Sequence, residues 1–126
     1  MIARSFAIDF DGCIAYHDYP FIYERIPNAM ETMKKLKKAG HTLILLTMRS
    51  ESQLDEAVAF CRLHDVEFDY INCNPEFETG SRKVYANYYL DDHGLGVPLI
   101  HDTVIHRKPF VDWVRVEQLL KERGLL

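Results

Sequence analysis

The amino-acid sequence predicts an α/β domain with a central parallel sheet and helices on both faces. Short apolar runs alternate with segments whose apolar residues recur at helical spacing, in the order β, α, β, α, β, loop, β, β, α. The runs are almost continuously apolar, which is typical of strands buried on both faces. Polar residues follow three of the runs at their carboxyl ends, where open parallel sheets form their ligand-binding sites.

Five apolar runs predict the strands, and the residues around them predict where the helices begin. Pro27 is expected to open the first helix, because its missing N–H costs nothing at the first helical position. Ser50 or Ser52 is expected to cap the second helix, and Asp112 the last. The predicted strands cover residues 6–10, 42–46, 68–71, 88–90 and 97–100.

Length and composition predict a single domain over residues 1–126. A chain of 126 residues with 48% hydrophobic residues can build one core but not two. Three cysteines without a C-x-x-C pair favour reduced thiols over a disulfide framework or a zinc ribbon. The first residues lack the pattern of a secretory signal, and no apolar run approaches the ~20 residues of a membrane helix. We therefore expect a cytoplasmic protein that does not engage a membrane.

Two aspartates, Asp9 and Asp11, follow the first predicted strand and precede Gly12. A carboxylate on a rigid strand end can attack phosphorus, and a second acid can protonate the leaving oxygen and later deprotonate water. The turn at Gly12 is expected to bring backbone N–H groups near the phosphoryl oxygens. Calcium loops and ordinary turns share the D-x-D-G pattern, so the pattern alone leaves those alternatives open.

Four further residues could complete such a site. Asp91 and Asp92 follow the fourth strand, and carboxylates without a neighbouring His or Cys cluster favour a hard cation, Mg²⁺ above all. Thr47 ends the second strand and could either donate its hydroxyl to a phosphoryl oxygen or cap the next helix. Lys83 could neutralise the nucleophile and the phosphate. A solvated turn and a surface lysine are the alternatives for the acidic pair and for Lys83.

Four segments, in this order along the chain, resemble the four motifs of the haloacid dehalogenase superfamily of phosphotransferases. The resemblance implies a three-layer Rossmann-like domain and a hydrolase, a phosphatase that cleaves phosphate monoesters. One departure is Cys13, which stands where the superfamily usually has Thr or Val. The matching segments are residues 7–12, 43–47, 81–86 and 88–92.

The resemblance also implies a role for each matched position. Asp9 would be the nucleophile that forms an aspartyl-phosphate, and Asp11 the general acid and base. Thr47 and Lys83 would hold the phosphoryl group. The metal-binding groups for Mg²⁺ would be Asp9, the backbone carbonyl of Asp11, and one or both of Asp91 and Asp92.

The chain leaves no room for the substrate-selecting cap domain that the superfamily usually carries. A capless or minimal-cap member is therefore expected, with the aromatic segment 16–23 as its candidate flap. Arg49, His17 and His93 are candidate substrate contacts. The phosphorylated substrate stays open among nucleotides, sugar phosphates, polynucleotide ends and phosphoproteins. A net charge of −4 disfavours nucleic acid without excluding it, and an open site is compatible with a homodimer.

Two rival functions belong to other classes. A catalytically silent relative of this superfamily could act as a phosphate-ligand binding or assembly module. A signalling receiver domain also combines acids, Thr, Lys and Mg²⁺, but it carries its acidic pair on the first strand and its phosphorylated Asp on the third. Here the pair follows the fourth strand, and no acid ends the third. The order of the motifs therefore favours the phosphatase.

Overall fold

Four parallel strands form the central sheet of the computed structural model, which describes residues 2–126. The strands are β1 (Ser5–Ile8), β2 (Thr42–Leu45), β3 (Tyr70–Ile71) and β4 (Tyr88–Leu90). Their order across the sheet is β3-β2-β1-β4. The predicted central parallel sheet is confirmed, although three of its strands are shorter than the apolar runs that predicted them.

Three helices and a small antiparallel ribbon complete the fold. The fifth predicted strand does not join the parallel sheet, because it pairs with a strand that the sequence did not predict. That pair, β5 (Leu99–Ile100) and β6 (Phe110–Val111), is antiparallel. The helices are α1 (Ala29–Lys38), α2 (Glu51–Leu63) and α3 (Trp113–Glu122).

The helix starts agree only in part with the sequence predictions. Pro27 does not open α1, because Asn28 adopts a left-handed conformation, with φ 67°, that delays the helix to Ala29. Ser50 stands at the N-cap of α2, but its side chain makes no capping hydrogen bond. Asp112 caps α3 as predicted, accepting a hydrogen bond from the backbone N–H of Arg115 at 3.1 Å.

The two faces of the sheet are covered differently. Phe6 and Ile8 point into the main core, to which all three helices contribute buried side chains. Ala7 and Ile44 point to the other face and pack against Ala86. The segment that leads from β3 to β4 provides this second cover without a helix, because it is rich in polar residues and is interrupted by Pro75 and Gly80. The α/β class is thus confirmed, with a thin third layer.

The described helices are short. The longest, α2, has 13 residues. Among residues 2–126, none combines the length and the apolar character that crossing a bilayer requires.

Candidate functional site

The carboxyl ends of β1 and β4 bring two groups of acids to one edge of the sheet. Ile8 pairs with Leu45 on one side and with Leu90 on the other. The next residue, Asp9, donates its backbone N–H to the carbonyl of Leu90 at 2.9 Å. Asp9 and Asp91 therefore leave neighbouring strands at the same level, as the parallel-sheet argument predicts.

One cavity of about 240 Å³ lies at this edge. It gathers every candidate from the sequence except three: Gly12, Arg49 and Lys83. Tyr19, from the aromatic segment 16–23, also lines it. The complete lining is Asp9, Asp11, His17, Tyr19, Thr47, Met48, Asp91, Asp92 and His93.

Negative charge dominates the electrostatics of this cavity. Burial first, and then the negative charges of Asp91 and Asp92, raise the pKa of Asp9 from 3.8 to about 8. Burial also raises the pKa of Asp92. Perturbed carboxylates in a cleft are a common property of functional sites, since burying like charges together is unfavourable without a ligand to offset them.

The acidic residues fit a divalent cation. Within residues 2–126, the side-chain oxygen Oδ1 of Asp92 is buried and has no hydrogen-bond partner, so a bound cation would satisfy it. A group of three possible metal-binding atoms lies here, all within 4.8 Å of one another, with one atom each from Asp91, Asp92 and His93. The carboxylate oxygens are the donors that Mg²⁺ prefers. His93 is 84% exposed and lies at the rim.

The N–H of Gly12 itself is used within the turn, and the expectation that backbone N–H groups of this turn lie near the phosphoryl oxygens stays a prediction. The Gly12 N–H donates to the carbonyl of Ala15 at 2.7 Å, because the turn closes back on itself. The need for glycine has another cause. Its φ is +80°, and a Cβ atom would lie 2.3 Å from Oδ2 of Asp92. The absence of a side chain at Gly12 therefore leaves the space that Asp92 occupies.

Arg49 is not a substrate contact in this structure, because its side chain is fully buried behind Asp11. Its guanidinium donates two hydrogen bonds to Asp11, from Nε to Oδ2 at 2.9 Å and from Nη2 to Oδ1 at 2.8 Å. The rings of Phe10 and Tyr19 each lie 5.1 Å from its central carbon. Arg49 therefore fixes the orientation of Asp11 toward the cavity.

Thr47 lines the cavity, and its hydroxyl oxygen already accepts one hydrogen bond. Its Oγ1 accepts a hydrogen bond from the backbone N–H of Arg49 at 3.1 Å. Its own N–H donates to Oδ1 of Asn72 at 2.9 Å, which ties it to the end of β3. A hydroxyl that accepts one bond still has its hydrogen to donate, so Thr47 keeps the role of donor to a phosphoryl oxygen; it does not cap α2, whose N-cap is Ser50.

Lys83 is not brought to the cavity. Its ammonium lies 5.5 Å from the centre of the Tyr89 ring, in the middle of β4. The hydroxyl of Tyr89 in turn donates to the carbonyl of Val84 at 2.6 Å. These contacts place Lys83 on the thinly covered face of the sheet, beside β4. The acidic cavity lies beyond the carboxyl end of that strand.

A solved structure of a conserved protein from Bacteroides thetaiotaomicron is similar to this chain. The two share 38% sequence identity over 97% of this chain and 93% of that one, with a TM-score of 0.80. This chain belongs to the same family as that Bacteroides protein. No protein-family profile and no curated protein matches it. The likeness establishes the family and supports the α/β fold, and it assigns no reaction.

Sequence reasoning missed one residue beside the acids. Lys108 lies sixteen positions after Asp92 in the chain, in the segment between β5 and β6. It lines a cavity together with His17, Asp92 and His93. No spacing rule identifies it, because its position depends on how the β5–β6 ribbon returns to the sheet edge.

In the absence of divalent metal, the stability of this protein is expected to fall as the pH rises from about 4 to about 8. The unfolded chain releases the Asp9 proton near the ordinary pKa of 3.8, whereas the folded protein holds it up to about 8. Between these values the folded state binds more protons, so the free energy of unfolding decreases as the pH rises. Urea denaturation in EDTA at several pH values measures this slope.

Asp9→Asn, which resembles the protonated side chain, is expected to reduce that slope. At pH 8 in EDTA, the free energy of unfolding of this variant should exceed that of the wild type by more than about 1.4 kcal/mol, which corresponds to one pKa unit. Asp55→Asn, at an exposed position on α2, is the matched control and should keep the wild-type slope. A wild-type slope in Asp9→Asn would contradict the raised pKa of Asp9.

Proposed function

We propose that this protein is a Mg²⁺-dependent phosphohydrolase of the haloacid dehalogenase superfamily that cleaves a phosphate monoester. One observation carries the proposal: the ends of β1, β2 and β4 bring Asp9, Asp11, Thr47, Asp91 and Asp92 into one cavity. Three of the four motif segments that suggested the superfamily therefore converge in space. The fourth, around Lys83, does not converge with them.

Asp9 would carry out the first chemical step. A carboxylate oxygen of Asp9 attacks the phosphorus, and the bond between phosphorus and the ester oxygen breaks. Asp11 gives its proton to the departing ester oxygen, so that the product leaves as an alcohol. The bidentate contact with Arg49 holds the Asp11 carboxylate in one orientation beside the cavity and favours its ionised form, so Asp11 must take up a proton before it acts as the acid of this step.

Water would complete the turnover. Asp11, now ionised, takes a proton from a water molecule, whose oxygen attacks the phosphorus of the aspartyl-phosphate. The bond between phosphorus and the Asp9 oxygen breaks, which releases inorganic phosphate and restores the carboxylate. The Thr47 hydroxyl can donate to a phosphoryl oxygen in both steps, since it keeps a hydrogen for this purpose.

The raised pKa of Asp9 explains why a cation belongs in this scheme. A nucleophilic carboxylate must be ionised, but Asp9 among its acidic neighbours keeps its proton up to about pH 8. Asp9, the Asp11 carbonyl and the carboxylates of Asp91 and Asp92 would hold Mg²⁺, whose positive charge would favour the ionised form of Asp9 and offset the charge of the phosphate.

The size of the cavity agrees with a capless enzyme. A volume of about 240 Å³ accommodates a phosphoryl group, whereas sites that enclose an entire drug-sized ligand are typically larger, at about 300–1,000 Å³. The rest of the substrate would extend past Tyr19 and the exposed side chain of Met48, which is 96% accessible. An exposed phosphate on a larger molecule suits this opening.

The strand order argues against the receiver-domain alternative. The sheet runs β3-β2-β1-β4, so the first two strands and the fourth frame the acids. Receiver domains follow the flavodoxin-like order 2-1-3-4-5, in which the third strand lies next to the first. In this protein β3 lies at the edge of the sheet, beyond β2.

Hydrolysis of p-nitrophenyl phosphate tests the proposal. We expect turnover by the wild type in Mg²⁺, loss of turnover in EDTA, and recovery when Mg²⁺ is restored. Asp9→Asn should lower kcat by at least about 1,000-fold, because an amide cannot form the aspartyl-phosphate. Asp55→Asn is the control for an exposed aspartate. Equal turnover by Asp9→Asn and the wild type would reject the mechanism.

A further inference from the structure

A second cavity, of about 290 Å³, adjoins the acidic one. The two cavities share three lining residues, so they open onto the same part of the surface. The second cavity extends the site toward the ribbon of β5 and β6. Its lining consists of His17, Asp92, His93, Leu99, Lys108 and Pro109.

Apart from the proposed Mg²⁺, the acidic cavity has no lysine or arginine among its described lining residues that could contact an incoming phosphate. Among residues 2–126, neither Asp9 nor Asp91 forms an ion pair, and the one ion pair of Asp92 is with His93, at 3.7 Å. Arg49 is buried and is already engaged by Asp11. A phosphate dianion that approaches these carboxylates is repelled unless fixed positive charge lies near its oxygens.

Lys108 is the one lysine or arginine of the described chain that lines either cavity. Its Nζ lies 3.5 Å from Nδ1 of His17, a residue common to both cavities. Lys83, the lysine suggested by the sequence motif, lies instead over the ring of Tyr89. The required charge is therefore present at the site, but on a different segment of the chain.

Contacts with the 16–18 segment hold Lys108 in this position. Oδ1 of Asp18 lies 3.0 Å from Nε2 of His106 and 2.9 Å from Nη1 of Arg107. The ring of His106 stacks on Tyr16, with 5.1 Å between ring centres and 13° between planes. Three consecutive residues, 106–108, are thus tied to the segment that carries His17, so the position of the Lys108 backbone is defined.

We propose that Lys108, and not Lys83, is the lysine that contacts the phosphoryl group of the substrate. The inference rests on the proposed function, because it assigns a charge partner within the same site. Lys108 would neutralise charge on the phosphoryl oxygens as Asp9 approaches the phosphorus, and His17 would lie beside it at the entrance. Lys108 and Pro109 would then form part of the wall of the site, in place of a cap domain.

Three lysine variants test the assignment: Lys108→Met, Lys83→Met and Lys34→Met. The control, Lys34, is exposed on α1, away from both cavities. With p-nitrophenyl phosphate and Mg²⁺, Lys108→Met is expected to lower kcat/KM by about 100-fold, the usual loss when a donor to developing negative charge is removed. Lys108→Arg should restore part of the activity, because it keeps the charge. Thermal denaturation checks that each variant is folded.

The outcomes separate this inference from the proposed function. Turnover that requires Asp9 and survives in Lys108→Met, or a large loss confined to Lys83→Met, would overturn the assignment and leave the proposed function standing. If the wild type shows no turnover, binding of inorganic phosphate in Mg²⁺, measured by calorimetry, decides. Phosphate binding that is lost in Lys108→Met and kept in Lys34→Met supports the assignment. Equal phosphate binding by Lys108→Met and the wild type overturns it, and so does the absence of phosphate binding by the wild type.

Discussion

Replacing Arg49 by methionine is expected to lower the free energy of unfolding by about 3 kcal/mol. Breaking a buried ion pair usually costs about 3–5 kcal/mol, because the remaining charge loses its partner. The lower value applies because the Asp11 side chain keeps 13% exposure to solvent. The variant also loses the hydrogen bond from Nη1 to the Pro20 carbonyl, 3.1 Å long, and the stacking on Phe10.

A surface ion pair provides the matched control for Arg49. Arg62 contacts Glu67 at 3.2 Å, and both side chains are more than half exposed. Arg62→Met should therefore change stability by less than about 1 kcal/mol. Adding Asp11→Asn to Arg49→Met should recover part of the loss, since it removes the unpaired charge. Similar urea midpoints for Arg49→Met and Arg62→Met would contradict the buried pair.

Replacing Gly12 by alanine is expected to destabilise the protein and to disturb the acidic cavity. Two effects add at this position. The left-handed backbone costs a residue with a Cβ about 1–2 kcal/mol. The new methyl group would also lie 2.3 Å from Oδ2 and 2.7 Å from Cγ of Asp92, so Asp92 must move. Overpacking of this kind adds about 1–3 kcal/mol.

Gly80→Ala separates the two effects of the Gly12 substitution. Gly80 has almost the same φ, +82°, but nothing lies within 4 Å of the position of its Cβ. It should therefore show only the cost of the backbone conformation. Gly12→Ala should be the less stable variant in urea and should bind Mg²⁺ more weakly in calorimetry. Equal stability and equal Mg²⁺ affinity in the two variants would refute the packing of Gly12 against Asp92.

The acidic centre of the site could be predicted because it depends on rules that act locally. Apolar runs followed by Asp9, Thr47 and Asp91 predict buried strands with polar residues at their carboxyl ends. Parallel pairing then brings these ends together, whatever the loops do. The structure confirms that these residues share one cavity.

The positions of the basic residues could not be predicted in this way. Arg49 is 38 positions from Asp11, and nothing local to the sequence shows that it will be buried against it. Lys83 has the motif-like position in the sequence, but the β3–β4 segment lies across a sheet face, with Lys83 over Tyr89. Lys108 reaches the site through the unpredicted pairing of β5 with β6. The paths of the loops determine where all three of these basic side chains lie.

The hydrogen-bond partner of the Gly12 N–H could not be predicted, for a related reason. A D-x-D-G pattern indicates a turn but not which group will accept the hydrogen bond from its N–H. In this turn the acceptor is the carbonyl of Ala15, three residues later. The requirement for glycine comes from the left-handed backbone of this turn and from Asp92, which is eighty residues away in the sequence and adjacent in space.

Chemical trapping of the intermediate tests the central claim, that Asp9 is the nucleophile, most directly. Wild-type protein would be mixed with excess p-nitrophenyl phosphate and Mg²⁺, quenched during turnover, and treated with borohydride, which reduces an acyl phosphate to the alcohol. Peptide mass spectrometry should then find homoserine at position 9 in the wild type and none in Asp9→Asn. Homoserine at position 91 or 92, or turnover without any homoserine, would contradict the assignment of Asp9.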